Sequence, residues 1–254
     1  MIEYSIVISA YNEEASISMA LTQVLSFMGT FSTAFEIIVV DDGSTDRTVE
    51  MTENYINSSD KKIIKLIKNS HKGKANGVRT GIFAAQGEYI LFTDADMATP
   101  IDELKRLMVW IQDHNFDMVI GSREGIGAQR HNEPFIRHLM GRVFNLLVKI
   151  MLSLEFEDTQ CGFKVMKKDV AKDIFSHLIL FGEDIVETNK PRVTAFDSEA
   201  LVVAKKRGYK VKAVPVNWTY TPSTRVRKIG ESVDMFIEVL RIKVNSLAGK
   251  YSAR

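Results

Sequence analysis

The first 121 residues alternate short apolar runs with longer amphipathic segments, and this alternation constrains the fold more than any other feature. Runs rich in β-branched residues predict five strands, at 4–9, 36–40, 63–68, 87–93 and 117–121. The segments between them predict helices at 16–28, 46–57, 74–85 and 101–114. Strands separated by helices require right-handed crossovers, so the sequence predicts an α/β fold whose mostly parallel sheet carries helices on both faces.

The pattern changes after residue 121. A polar, glycine-containing segment at 122–134 is typical of a loop, and a long amphipathic helical stretch follows at 135–154. Further on, the sequence predicts a polar turn and short strand at 158–166, a helix at 195–207, an edge strand at 211–218 and a terminal helix at 232–247. No linker is long enough to divide the chain, so we expect one domain over residues 1–254.

Composition excludes several classes of protein. The formal net charge of +1 provides no general attraction to nucleic acid. The single cysteine, Cys161, excludes a disulfide within the chain and suits a reducing compartment such as the cytosol. We expect no signal peptide, because residues 1–4 contain no basic segment that precedes an apolar run. We expect no membrane-spanning helix, because the most apolar stretch contains Arg137, His138, Arg142 and Lys149.

Asp94 and Asp96 directly follow the predicted strand at 87–93. In an open α/β sheet, ligands bind outside the carboxyl ends of the strands. Two carboxylates at such an end can share a divalent cation, whose other ligands come from substrate phosphates. A bound cation would neutralise charge on a departing diphosphate. The alternative is a polar loop in which Asp96 caps the following helix.

Two further polar segments follow neighbouring strands. Asp41 and Asp42 repel each other unless a ligand, such as a base N–H or a ribose hydroxyl, offsets the repulsion. An Asx turn followed by a helix cap is the alternative. The segment 71–77, HKGKANG, combines small residues and two lysines at the start of a helix, which suits a diphosphate. It lacks the spacing of a P-loop, and a solvated loop remains the alternative.

The order of the motifs resembles that of family 2 glycosyltransferases of GT-A fold. The early motifs are VISAYNEE at 7–14, VVDDGSTD at 39–46 and TDAD at 93–96. The later motifs are GSR at 121–123, DTQCGFK at 158–164, FDSE at 196–199 and VPVNW at 214–218. These later motifs are similar to those of the polyprenyl-phosphate branch of the family. Within that branch they resemble the dolichyl-phosphate glucosyltransferases more than the dolichyl-phosphate mannose synthases. The likeness covers nearly the whole chain.

The resemblance implies an inverting, metal-dependent hexosyltransferase with a Rossmann-like GT-A domain. It implies transfer of glucose from UDP-glucose to a polyprenyl phosphate, with residues 1–121 binding the nucleotide sugar and residues 122–254 binding the acceptor. Mannosyl transfer from GDP-mannose, transfer to a soluble glycan, and a non-catalytic nucleotide-sugar-binding protein remain alternatives.

The resemblance also implies residues for the donor site. It assigns Glu13 to the ribose, Asp42 to the base and Lys74 to the donor phosphates. Asp94 and Asp96 would bind Mg²⁺ or Mn²⁺, with Asp96 as the direct ligand. The full donor set is Ala10, Tyr11, Glu13, Asp42, Lys74, Asp94, Ala95 and Asp96.

On the acceptor side, the resemblance assigns the lipid phosphate to Arg123, Arg137 and Arg225. Arginine suits this role because it binds phosphate bidentately. The alternatives are a structural loop arginine for Arg123 and a solvated helix face for Arg137. Asp158, Asp197 and Glu199 would face the sugar or acceptor. The catalytic set is then Asp96, Asp158, Asp197 and Arg123, with Asp158 and Asp197 as bases if the acceptor is an alcohol.

A lipid acceptor implies contact with a bilayer. The amphipathic stretch at 134–154 is predicted to lie at the interface, with its basic residues meeting headgroups. The alternative is packing on the sheet or on a partner chain, and for the terminal helix this alternative is favoured. We therefore expect a cytoplasmic protein attached peripherally to the cytoplasmic face of a membrane. Homo-oligomerisation is left open.

Overall fold

The computed structural model describes residues 1–58, 63–183, 185, 194–221 and 229–252, with the backbone alone at 229–232. The strands are β1 (Tyr4–Ala10), β2 (Phe35–Asp41), β3 (Ile64–Lys68), β4 (Tyr89–Asp94), β5 (Met118–Ser122), β6 (Gln129–His131), β7 (Lys164–Lys167), β8 (Val211–Pro215) and β9 (Asn217–Thr219). The helices are α1 (Ile17–Phe31), α2 (Thr48–Ser58), α3 (Lys74–Ala84), α4 (Leu104–Gln112), α5 (Phe135–Leu152), α6 (Lys168–Ser176), α7 (Phe196–Lys206) and α8 (Ile229–Leu247).

Seven strands form the central sheet, in the order β3-β2-β1-β4-β7-β5-β8. All neighbouring pairs are parallel except those made by β7, which runs antiparallel to both β4 and β5. The predicted α/β architecture with a mostly parallel sheet is therefore confirmed. The predicted edge strand at 211–218 is divided, because β8 forms the sheet edge while β9 pairs with β6 in a separate two-stranded sheet.

Two hydrophobic cores lie on opposite faces of the sheet, because successive side chains of a strand point to opposite sides. Ile38 and Val40 of β2 face the core that is covered by α3, α6, α7 and α8. Ile37 and Val39 face the core that is covered by α1 and α4. Full burial of one such aliphatic side chain contributes about 1.5–3 kcal/mol, which explains why the central strands read as continuous apolar runs.

Two glycines bring α3 close to β1. A Cβ added to Gly77 would overlap Ser9 Oγ, and one added to Gly81 would overlap Val7 Cγ1. Because these glycines are four residues apart, they lie on one face of the helix and let its backbone approach the strand. This packing holds the first residue of the helix, Lys74, at the carboxyl edge of the sheet.

The C-terminal half adds two long helices that pack against each other, α5 and α8. The amphipathic stretch predicted at 135–154 is confirmed as a helix, and α8 begins three residues earlier than predicted. Neither α6 nor the β6–β9 pair was predicted. Among the described residues, no helix combines the length and apolar character needed to cross a bilayer.

Candidate active site

The carboxyl ends of β1, β2, β4 and β5 meet along one rim of the sheet. Because β7 runs in the opposite direction, the loop that precedes it, 158–163, reaches the same rim. The rim therefore collects residues from both halves of the chain. The predicted site residues at the strand ends lie along it.

Lys74 and the Asp94 carboxylate form an ion pair at this rim. The two side chains expose 33% and 37% of their area, so the pair lines an open cleft rather than the core. Burial opposes the charge of Lys74, but Asp94, Asp197 and Asp96 together raise its pKa above the ordinary value. Lys74 is thus a fixed cation among three carboxylates, and the excess of negative charge around it would admit a phosphate only together with a divalent cation.

Asp96 lies beside Asp94 and accepts a hydrogen bond of 3.0 Å from the Ala98 N–H at Oδ1. Burial and the neighbouring Asp94 carboxylate raise the pKa of Asp96 to about 6. Glu13 adds to this effect, which brings the first and fourth strand ends into one electrostatic cluster. Two carboxylates with an excess of negative charge fit a divalent cation chemically.

The cation fit depends on ligands from outside the protein. Within the described part of the chain, no three His, Cys, Asp or Glu side chains converge as a metal site. Asp94 and Asp96 can supply carboxylate oxygens to a cation. Water and substrate phosphates would then fill its remaining coordination positions, an arrangement that Mg²⁺ favours.

Asp42 holds the loop that leads into α3. Its buried carboxylate accepts hydrogen bonds from Lys72 N–H (3.0 Å) and Gly73 N–H (2.7 Å), and it lies 2.7 Å from His71 Nδ1. Asp41 folds its own turn by accepting from the N–H groups of residues 43 and 44. Both adjacent carboxylates thus accept hydrogen bonds from backbone N–H groups. The contact of Asp42 with a nucleotide base stays a prediction.

Tyr11 stacks on His71 next to this loop, with ring centroids 3.9 Å apart and planes inclined by 8°. Gly43, at φ +76°, lets the turn approach, because a Cβ there would lie 2.8 Å from His71 N. Ala10 is buried, and its carbonyl accepts the Asp42 N–H at 2.9 Å. The rings and loop form a wall suited to a planar base, as in aromatic stacking generally.

Asp158 does not face the cleft, which corrects its assignment as a catalytic base. The side chain is fully buried, and Arg123 binds it through Nε and Nη2 at 2.8 Å each. The backbone N–H groups of Arg123 and Gln160 complete the set. Burial would raise the pKa of Asp158, but the Arg123 guanidinium holds it well below its usual range. A buried carboxylate with these four donors positions Arg123.

Arg123 and Arg137 lie near two aromatic rings of the C-terminal half. The Arg123 guanidinium carbon is 5.3 Å from the Trp218 ring centroid, and that of Arg137 is 4.6 Å from the ring of Tyr220. Arg130, which the sequence did not single out, donates a hydrogen bond to the Arg123 carbonyl at 2.8 Å. Arg225, the third predicted phosphate ligand, lies outside the described residues.

Asp197 is buried and forms an ion pair with Lys164, whose ammonium also donates to the Cys161 carbonyl. The charge of Asp197 contributes to the raised pKa of Lys74, so it acts on the cleft from its buried position. Glu199 does not reach the cleft, so the prediction that it contacts the sugar or the acceptor is wrong. Its fully buried carboxylate accepts three backbone N–H groups at 179–181 and the Tyr251 hydroxyl.

Sequence reasoning also missed Gly162 and Lys164. Gly162 lies against the Asp94 carboxylate, with no room for a side chain. Both residues belong to the 158–164 motif, but only the antiparallel direction of β7 reveals that this motif reaches the carboxylate of Asp94.

The sequence of this chain is similar to those of known glycosyltransferases. The family model for glycosyl transferase family 2 matches residues 5–175. Dolichyl-phosphate beta-glucosyltransferase of Dictyostelium discoideum is 30% identical over 259 residues, which cover 96% of this chain and 75% of that protein. The human protein of the same name is 29% identical and is covered to 77%, with 98% of this chain aligned.

Solved structures agree in fold. Mycobacterium tuberculosis glucosyl-3-phosphoglycerate synthase in complex with Mn²⁺, UDP and phosphoglyceric acid superposes with a TM-score of 0.63 at 15% identity, over 100% of this chain and 80% of that one. S. aureus TarS 1-349 in complex with UDP-GlcNAc superposes with a TM-score of 0.62 at 17% identity, over 98% of this chain and 69% of that one. The predicted GT-A fold is confirmed.

Proposed function

The chain belongs to glycosyltransferase family 2, and from this membership we propose that it is an inverting enzyme that transfers glucose from UDP-glucose to a polyprenyl phosphate of the dolichyl type. The names of its relatives support the acceptor and the sugar. UDP in the solved neighbours supports the nucleotide. Residues 1–121 would bind the donor and residues 122–254 the acceptor, within one domain.

The donor would lie along the rim from β1 to β4. The Tyr11–His71 stack offers an aromatic surface to the base, and Glu13 an acceptor for ribose hydroxyls. Asp42 positions the loop at 71–73, so that Lys74 reaches the cleft where the diphosphate would lie. The buried Ala10 and Ala95 would form the floor of this cleft.

Asp94 and Asp96 would hold a divalent cation, Mg²⁺ or Mn²⁺, which would stabilise the negative charge that develops on the leaving diphosphate. A structural neighbour that contains Mn²⁺ and UDP supports this role. In the described structure Lys74 pairs with Asp94, and a donor phosphate would compete for the same ammonium.

The acceptor oxygen needs little activation. A phosphate monoester is largely ionised near neutral pH, since its second pKa is about 6. That oxygen would attack the anomeric carbon from the side opposite the diphosphate, forming the new C–O bond while the electron pair of the old bond leaves with UDP. Asp158 is unsuited to act as a base, and none is required. Arg123 and Arg137 would offset the repulsion between the two anionic substrates.

The single observation that carries the proposal is the clustering of Lys74, Asp94 and Asp96 at one rim, with Asp197 next to them. A lipid acceptor further places the protein at a membrane, and we propose peripheral association with its cytoplasmic face. The amphipathic helix α5 supports this location.

The test is transfer of label from radioactive UDP-glucose to detergent-dispersed dolichyl phosphate with Mg²⁺ or Mn²⁺. Label in the organic phase is the expected result. Parallel reactions use GDP-mannose as donor and dolichol as acceptor. Transfer from GDP-mannose alone would replace glucose by mannose, and equal transfer to dolichol would refute the need for an ionised acceptor. UDP-glucose binding without transfer to any acceptor would refute the enzymatic proposal.

A further inference from the structure

Lys164 is a charged residue inside the central sheet. It is the first residue of β7, where it pairs in register with Phe92 of β4 and Ile120 of β5, and none of its surface is exposed. Its ammonium lies 5.3 Å from the centroid of the Phe92 ring. A lysine is almost never fully buried unless its charge is paired, so the partners of this ammonium indicate what the residue does.

The ammonium has two oxygen partners near the rim that carries the candidate site. One is the carboxylate of Asp197, in the first turn of α7, and the other is the carbonyl of Cys161, in the loop that precedes β7. Both partner residues are buried as well. Because water is excluded there, both contacts are electrostatically stronger than they would be at the surface.

The stability of the fold alone does not account for such an ion pair. The hydration that two ions lose on burial offsets most of their attraction, so apolar side chains of similar volume often stabilise a protein equally well. A buried pair has a clearer purpose where it fixes a particular arrangement of the chain. The groups that Asp197 and Cys161 adjoin show which arrangement Lys164 fixes.

The Cys161 carbonyl leads to Asp94. It belongs to the peptide that joins Cys161 to Gly162, and Gly162 packs against the Asp94 carboxylate. A Cβ on Gly162 would lie 2.6 Å from Asp94 Cγ, so there is no space for this peptide to move towards the carboxylate. The Lys164 ammonium binds the same peptide from within the sheet, and therefore holds one side of the surface on which Asp94 rests.

The Asp197 carboxylate leads to Lys74. Burial lowers the pKa of Lys74, whereas the charges of Asp94 and then Asp197 raise it, and the net change is a rise. Because the Lys164 ammonium holds the Asp197 carboxylate, it also fixes the distance at which that charge acts on Lys74. One buried cation is thus connected to both members of the ion pair that lines the cleft, Lys74 and Asp94.

We propose that Lys164 is a positioning residue for glycosyl transfer, whose ammonium holds the peptide at 161–162 and thereby sets the position of Asp94 for a complex of divalent cation and nucleoside diphosphate. The same ammonium fixes Asp197. Because its side chain is fully buried, Lys164 acts through these partners and not by contact with substrate. The inference deepens the proposed function and rests on it for the identity of the reaction.

The test variant removes both charges, because loss of Lys164 alone would leave the Asp197 carboxylate buried without its cation. Lys164→Met/Asp197→Asn puts an apolar side chain of similar length in place of the lysine and leaves neither charge of the pair behind. Lys167→Met/Asp117→Asn is the matched control, since this partly exposed pair lies at the other end of β7. Thermal unfolding of both variants shows that they are folded.

Cys161 reports the position of the loop, because it is the single cysteine of the chain and is buried. In Lys164→Met/Asp197→Asn its thiol should react with iodoacetamide about tenfold faster than in wild type, because a buried thiol reacts only when its surroundings open. The Lys167→Met/Asp117→Asn control should react at the wild-type rate. Equal rates in the two variants would overturn the anchoring of the loop.

A single variant keeps the test decisive even if the double variant does not fold. Asp197→Asn leaves the Lys164 ammonium on the Cys161 carbonyl, so its thiol should react at nearly the wild-type rate. Fast labelling of this variant would assign the position of the loop to Asp197 rather than to Lys164, and would overturn the proposal.

Binding of Mn²⁺ in the presence of UDP measures the effect on the candidate site, with the paramagnetic resonance signal of free Mn²⁺ as the readout. The affinity should fall about tenfold in Lys164→Met/Asp197→Asn, as is typical when a group that orients a metal ligand is removed. It should be unchanged in the control. The KM for UDP-glucose should rise while that for the polyprenyl phosphate changes little. Wild-type Mn²⁺ affinity in the folded variant would overturn the positioning role.

Binding of Mn²⁺ with UDP requires no acceptor and no turnover, so the outcomes separate this inference from the proposed function. Glucosyl transfer by wild type, together with unchanged Mn²⁺ affinity in the variant, would support the function and overturn the positioning role. Reduced affinity in the variant, without transfer by wild type to any acceptor, would support the positioning of Asp94 and refute the enzymatic function. Wild type that binds no Mn²⁺ with UDP would overturn both.

Discussion

The α-carbon of Gly162 lies directly against the carboxylate of Asp94. A Cβ built on this glycine would come within 2.6 Å of Asp94 Cγ and 2.8 Å of Oδ1, closer than such atoms approach in proteins. The backbone of Gly162 is not left-handed, so space rather than conformation excludes a side chain there. The glycine thus sets the position of one of the two proposed metal-binding carboxylates.

We expect Gly162→Ala to lower turnover by about 100-fold, because displacement of a catalytic group by about 1 Å costs that much. The free energy of unfolding should change little, since only the carboxylate of Asp94 must move and this group is partly exposed in the open cleft. Initial rates and thermal unfolding measure both quantities. Gly29→Ala, where no neighbour lies within 4 Å, is the control and should keep full activity. Wild-type turnover in Gly162→Ala would contradict the proposed position of Asp94.

Asp96→Asn should lower metal-dependent turnover by roughly 1,000-fold, an estimate in the range for loss of a group that stabilises transition-state charge. The amide oxygen can still accept the Ala98 N–H, and repulsion from Asp94 is removed, so the melting temperature should not fall. Rates over a Mn²⁺ titration provide the measurement. Asp102→Asn, at an exposed acid of the same segment, should behave as wild type. Equal Mn²⁺ dependence in all three proteins would exclude Asp96 as a ligand.

Arg123 and Asp158 should show strong energetic coupling. Removal of one partner leaves a buried charge, so Arg123→Ala and Asp158→Ala should each lower the free energy of unfolding by about 3–5 kcal/mol. The double variant should lose clearly less than the sum. Urea unfolding of the four proteins completes the cycle. If Asp158→Ala costs under about 1 kcal/mol, the buried pair does not stabilise this loop.

Arg137→Gln should raise the KM for the polyprenyl phosphate about tenfold while leaving the KM for UDP-glucose nearly unchanged, because the lost guanidinium would contact only the acceptor. Steady-state kinetics with each substrate varied in turn separates the two constants. Arg106→Gln removes an exposed arginine of α4 and provides the charge control. A similar rise in both constants would place Arg137 outside the acceptor site.

Glu36 should contribute an acid-sensitive part of the stability. Burial would raise its pKa, but hydrogen bonds from Ser5 and the Gln86 N–H, together with Lys65, lower it below the ordinary value. The unfolded glutamate has a pKa of about 4.3. Because the folded pKa is lower, the contribution is complete above about pH 5 and is lost as pH falls through the folded pKa.

Denaturant unfolding at a series of acidic pH values measures this contribution. The free energy of unfolding should fall less steeply with acid in Glu36→Gln than in wild type, and Ser5→Ala should give an intermediate slope. Identical slopes in the three proteins would show that Glu36 titrates alike in both states.

The alternation of strands and helices allowed the donor half to be predicted closely. The apolar runs are long, and the acids that follow them are the natural ends of parallel strands, so Lys74, Asp94 and Asp96 were brought together correctly. Asp42 was predicted as a base ligand, whereas its visible partners are the loop amides. A sequence does not reveal that a nearby backbone will saturate a carboxylate.

The acceptor half was predicted less well for a topological reason. Nothing in the four residues of β7 indicates its direction, and only that direction brings Asp158 beside Arg123. A carboxylate in a polar motif reads as exposed, yet Asp158 is buried because an arginine 35 positions earlier neutralises it. Glu199 is similar, since its partners at 179–181 and Tyr251 are remote in sequence.

The reversed strand has a consequence for how enzymes of this architecture can diversify. A parallel strand is tied to its neighbour by a helix of fixed span, whereas residues 153–163 reach the rim without crossing the sheet. Their length can therefore vary without shifting any strand register. We expect residues 153–157, which precede the motif at 158–164, to be where related chains differ most in length, while the residues of that motif and those that would hold the nucleotide keep their places.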